Sequence, residues 1–245
     1  MIVILQWSTL AACGLVAVAR IPGALTGKNR TLFYIFALMT IAVLLSIEAP
    51  YAAIDQALGG INIANLILRL VIFAAIFFLG IRITRGFGAS RAYGLLTRRI
   101  GIAALALTSL IVVIVFLMMD TEGSSVGLVA VSAKDPRNGM LVEYYGAAGR
   151  AYPAYVALVL LPAMVRAVGS TLPTMVRIAA ILLGVGSVAV ALTLIFPFYP
   201  PNWGAARFVI NYTAVLCYVF GLALIAFARV WSGRSGPRPK TSTAK

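Results

Sequence analysis

Seven apolar runs, each near the roughly 20 residues that a helix needs to cross a hydrocarbon core, limit what this chain can fold into. They cover about residues 2–19, 31–54, 61–81, 100–119, 151–168, 176–197 and 208–228. Of 245 residues, 62% are hydrophobic and 11% are charged. A soluble domain of that make-up could not cover its surface with polar groups. The predicted fold class is therefore all-α, a polytopic transmembrane bundle of seven helices over residues 1–230. Residues 231–245, basic and rich in Gly, Pro, Ser and Thr, are expected to form a disordered tail.

The charges orient the bundle. Arg20, Lys28 and Arg30 follow the first run, and Arg82, Arg85, Arg91, Arg98 and Arg99 follow the third. Arg166 and Arg177 flank the turn after the fifth run, and Arg229, Arg234, Arg238, Lys240 and Lys245 follow the last. No acid accompanies them. The alternate loops hold Lys134, Arg137, Arg150 and Arg207 against Asp55, Asp120, Glu122, Asp135 and Glu143. The positive-inside rule then places the N-terminus outside and the C-terminus in the cytoplasm. Much of the net charge of +14 is thus topological and calls for no nucleic acid. The expected partners are the bilayer itself and anionic lipid headgroups at the basic, cytoplasmic face. The first run lacks a basic region before it and carries its positive charges after it, so it reads as a retained span and not as a signal peptide.

Chemistry-bearing motifs are scarce. The chain has no histidine, which removes the commonest general base and metal ligand. Cys13 and Cys217 sit within apolar runs and read as packing residues. No P-loop, HExxH or GxSxG motif occurs. Seven spans with an outside N-terminus would suit a retinal protein, but none of Lys28, Lys134, Lys240 and Lys245 lies inside a span. No enzyme activity, metal or cofactor is expected.

Two charges lie within apolar runs. At 1.5 Å of rise per residue, Glu48 sits roughly 9–10 Å below the outer end of the second span, where the following Pro50 predicts a bend or an uneven helix end that frees backbone carbonyls. Arg69 sits roughly 12 Å below the same face on the third. Similar depth on consecutive helices predicts an ion pair, which lowers the insertion cost of either charge, on the order of 2.5–3.5 kcal/mol. Asn62, Asn65 and Arg69 share one helical face by their spacing. Gln6, Arg207 and Asn211 also fall in the outer half. Together these residues predict an outward-facing polar vestibule with Glu48 and Arg69 at its base. The competing reading makes the pair a structural clasp between helices. Gly184, Gly186, Ser187 and Ala191, and Gly14 with Ala17, form small-residue faces suited to close helix contact.

The stretch Ser46–Leu70, with Pro50, Asp55, Leu58, Gly59, Gly60, Asn62, Ala64 and Leu66, resembles a group of actinobacterial seven-span membrane proteins described as transporters. That resemblance implies a bacterial plasma membrane and a transport-related role. Members of the group carry a longer cytoplasmic region than the stretch after Trp231. The expected function is non-enzymatic binding of a small solute or ion for transport or sensing. The alternative is a membrane module that partners another protein, of a kind a phage or mobile element could encode. The long loop from Asp120 to Arg150 would then carry the interaction.

Overall fold

A computed structural model describes residues 2–27, 30–198 and 203–234. Every regular element among them is helical. The long helices are α1 (Ile2–Leu25), α4 (Ile63–Gly86), α6 (Arg99–Met118), α8 (Pro136–Val168), α9 (Thr174–Leu192) and α10 (Gly204–Arg234). Shorter ones are α2 (Arg30–Leu44), α3 (Glu48–Ala57), α5 (Ser90–Thr97) and α7 (Val129–Ser132). Six helices are long and apolar enough to cross a membrane, and a seventh crossing arises if α2 and α3 count as one broken span.

The outer surface suits lipid and not water. On α6, Ile100, Leu107, Leu110, Ile114 and Leu117 are exposed; on α10, Phe208, Val215, Val219 and Phe220 are. Contiguous apolar surface on that scale has no place on a soluble monomer. The molecule is therefore a multi-pass membrane protein. Its buried core lies between α4, α6, α8 and α9, where Phe73, Val112, Phe116, Tyr152, Val156, Leu160, Met164 and Leu183 meet. α8 is the central helix and carries more buried residues than any other. α1 packs chiefly on α2. The small faces act as the sequence suggests. Gly14 approaches Thr40, and Gly186 lies against Cys217 and Tyr218. The Ser187 hydroxyl bonds the Tyr218 hydroxyl at 2.9 Å.

Three departures from the expected spans matter for the site. First, the second span is not continuous. α2 stops at Leu44 and the chain bends by 91° before α3. Pro50 explains the place of the break, since its ring would clash with the Ser46 carbonyl and it has no N–H to donate there. In the first turn of a new helix that missing donor costs nothing. Second, α4 starts at Ile63 with Asn62 in the left-handed region as its cap (φ 59°). Third, α8, which carries the fifth expected span, starts at Pro136 and not near 151. Asp135 caps it, accepting from the Asn138 N–H at 2.7 Å, with proline in the first turn. Residues 136–150 are thus helix where a loop was expected. At the other terminus α10 runs to Arg234, through the first residues of the expected tail. Residues 235–245 lie outside the described residues, as do Lys28 and residues 199–202 of the turn before α10.

The turn after α3 is bonded to residues 121–125, and the 3-10 helix Thr193–Phe198 packs on α8, where Phe196 meets Arg150. These segments mark one end of the bundle, the α3 end. The opposite end carries the arginines Arg82, Arg85, Arg91, Arg98, Arg99, Arg166 and Arg177.

Candidate functional site

The α3 end is closed by a polar knot. After α3 the chain reverses through Gly59 (φ 105°) and Gly60 (φ 71°), backbone angles that only glycine adopts freely. The turn returns the chain to Asp55, whose fully buried carboxylate accepts from the N–H groups of Asn62 and Ala64, each at 3.0 Å. An acid is thereby placed on the exposed donors at the start of α4, where the helix dipole also favours it. The Ser124 hydroxyl donates to the same carboxylate. Asn62, also fully buried, accepts from the Tyr51 hydroxyl at 2.8 Å and the Ser125 N–H at 2.9 Å. Its amide donates to the carbonyls of Thr121 and Gly123 at 2.9 and 2.8 Å. The knot thus pins residues 121–125 onto the turn between α3 and α4.

Leu128 and Val131 anchor the rest of the 119–135 segment in the core. Lys134 and Asp120 form an exposed ion pair at 2.8 Å. The hydrogen bond from Lys134 holds the Asp120 carboxyl below the usual carboxylate range.

Beneath the knot, cationic side chains converge from three helices. Arg69 of α4 lies over the Tyr145 ring of α8, its guanidinium carbon 5.3 Å from the centroid. Gly149, one turn further along α8, makes room for it: a Cβ there would stand 2.7 Å from Arg69 Nη1. Pro153 supplies no N–H to the Gly149 carbonyl, which is left without its helical donor. Arg150 of α8 is in electrostatic contact with both Arg69 and Arg207 of α10. Phe196 stacks between the last two, 5.6 Å from the Arg150 guanidinium and 6.0 Å from that of Arg207. Arg207 Nη2 also donates to the Phe196 carbonyl at 2.7 Å. The one acid facing Arg150 electrostatically is Glu143, which is exposed.

The expected site residues separate accordingly. Asn65, Arg69 and Arg207 lie in or beside the arginine group. Asn62 is engaged by the knot and stands ahead of α4, so it does not share a helical face with Asn65 and Arg69. Glu48 does not pair with Arg69; among the described residues the ion pair is Lys134–Asp120. The 91° bend explains this, because it carries the chain sideways at Leu45–Ile47 and leaves Glu48 exposed in the first turn of α3. There the helix dipole stabilises the carboxylate. Asn211 is exposed on α10. Gln6 is half-buried on α1, with no hydrogen bond to the arginine group among the described residues. Sequence reasoning missed Asp55, Tyr145 and Arg150 as members of these clusters. The signals were present: the Asp135–Pro136 helix start, and an acid seven residues before Asn62.

If Glu48 and Arg69 do not interact, their effects are independent. Glu48→Gln should shift the thermal midpoint in detergent by at most about 2 °C. The Glu48→Gln/Arg69→Met double variant should equal the sum of the singles within about 0.5 kcal/mol. A coupling well above that would restore the clasp.

No family model matches the sequence, and no curated protein or solved structure gives a significant match.

Proposed function

We propose that this is a non-enzymatic plasma-membrane protein that binds a small solute at its α3 end, for transport or sensing. The positive-inside rule turns that end outward and the basic end toward the cytoplasm, where Arg98 and Arg99 beside α6 meet anionic lipid headgroups. The observation that carries the reading is the convergence of Arg69, Arg150 and Arg207 with buried polar groups inside an otherwise apolar bundle. Charged groups at membrane depth are costly and mark ligand or ion sites. The cap formed by α3 and residues 119–135 lies over this region, so the base of the site passes from the Glu48–Arg69 pair to the arginine group alone. The resemblance at Ser46–Leu70 agrees with a transport-related role in a bacterial membrane, and its residues Asp55, Gly59, Gly60, Asn62 and Ala64 belong to the knot.

A thermal-shift panel tests this. The purified full chain in detergent is heated with alkali cations, inorganic and organic anions, neutral sugars and amino acids at matched ionic strength. At least one class should raise the midpoint saturably, and Arg69→Met should weaken that response. If no solute of any class produces a saturable shift, the binding reading is wrong. The alternative, a module that docks another protein through residues 120–150, would then stand.

A further inference from the structure

We infer that the solute is an oxyanion, a phosphate or carboxylate group gripped by Arg69 and Arg150, with Arg207 adding its charge. This rests on the solute-binding reading above and names its ligand class. Three independent features point the same way.

The first is charge balance. The Arg150 guanidinium lies in the fields of Arg69 on α4 and Arg207 on α10, and the acid that faces Arg150 is Glu143, at the surface. Like charges in a partly buried site repel strongly unless an anion neutralises them. Asp55, the buried carboxylate nearby in the chain, is already engaged by Asn62, Ala64 and Ser124.

The second is unpartnered donors. Tyr145 is 1% exposed, and its hydroxyl donates to no acceptor among the described residues. It lies in the field of Arg69. Arg150 Nε is likewise buried without an acceptor. One turn above Arg69, Asn65 is 4% exposed with its side-chain oxygen unbonded. Buried polar atoms are rarely left so. Two of the three are donors, which a ligand oxygen would satisfy.

The third is shape. The planar guanidinium fork matches the spacing of two oxygens on one carbon or phosphorus atom. Gly149 and the aromatic faces of Tyr145 and Phe196 hold these forks in place from behind. A cation finds no such complement here.

An oxyanion can reach this site as a free ion or as a lipid headgroup, and the test separates the two. The full chain is placed in nanodiscs of phosphatidylcholine alone or with phosphatidylglycerol, and inorganic phosphate is titrated against chloride at constant ionic strength. A saturable rise in the midpoint with phosphate in phosphatidylcholine discs supports a free oxyanion. A rise brought by phosphatidylglycerol, with no added effect of phosphate, supports a lipid phosphate as the same ligand chemistry. Arg150→Gln and Tyr145→Phe should weaken the response, the former by about ten- to a hundredfold in apparent affinity. Arg150→Lys keeps the charge but loses the fork, so it should fall between wild type and Arg150→Gln. The inference is overturned if neither phosphate nor phosphatidylglycerol shifts the wild-type midpoint while a cation or neutral solute does. In that case solute binding survives and its anionic character does not. It is also overturned if phosphate acts equally on wild type and Arg150→Gln. If no solute shifts the midpoint, both readings fall together.

Discussion

Asp55→Ala lowers the stability of the protein by about 3 kcal/mol, on the order of 10 °C in thermal midpoint for a chain of this size. The carboxylate is fully buried and accepts from two backbone N–H groups and one hydroxyl. Hydrogen bonds to an ionised acceptor are worth about 1.5–3 kcal/mol each. The total stays below their sum because water enters where the carboxylate was, at the end of the bundle. Asp55→Asn should fall between wild type and alanine: one oxygen still accepts, while the new amide turns donors toward donors. The check is thermal unfolding of the purified protein in detergent, followed by intrinsic fluorescence or by aggregation. An unchanged midpoint for Asp55→Ala would show that the knot does not hold the α3 end together.

The second large effect is expected at Asn62. Alanine there removes both side-chain donors to the Thr121 and Gly123 carbonyls. It also strands the Tyr51 hydroxyl and the Ser125 N–H. A loss of about 2–3 kcal/mol follows from leaving buried groups unpaired. Asn62→Gly loses the same bonds but tolerates the left-handed backbone, so it should be about 1 kcal/mol less harmful than alanine. Hydrogen exchange gives the more specific reading, with amides across residues 121–125 losing protection ahead of those in α4. The Asp55→Ala/Asn62→Ala double variant should lose less than the sum of the singles, because both release the same segment. If residues 121–125 exchange at the wild-type rate in Asn62→Ala, another contact pins them.

The helices were legible in the sequence because lipid imposes one pattern on them, a long run of apolar residues closed by charges. Pro50 marked a bend in the second run, but neither its size nor its consequence for Glu48 was legible. Depth arithmetic for Glu48 assumed a straight helix from 31 to 54, whereas the clash between Pro50 and the Ser46 carbonyl turns the chain by 91°. A proline three residues into a helix and a proline within one differ only in where the helix begins. Arg150 was assigned to a loop for the opposite reason. The amphipathic start of α8 is too polar to register as a span, although Asp135 and Pro136 mark its cap. The knot was beyond any local pattern. Asp55 read as loop polarity and Asn62 as vestibule lining until Thr121, Gly123, Ser124 and Ser125 are brought to them from the next loop but one. What the resemblance at Ser46–Leu70 picked out without explanation is a turn whose geometry needs Gly59 and Gly60 and whose buried acid caps α4.

The knot also orders events during biosynthesis. The amide of Asn62 is bonded to carbonyls 59 and 61 residues further along the chain. Those acceptors leave the ribosome only after α4, α5 and α6 have been made. Until α6 is inserted, Asp55 can bond only the start of α4, the Asn62 amide lacks both of its carbonyl acceptors, and α3 is not yet tied to residues 121–125. Closure of this end is therefore a post-insertion step, open to the chain once α6 is in place and before Arg150 and Arg207 are made to complete the arginine group beneath it.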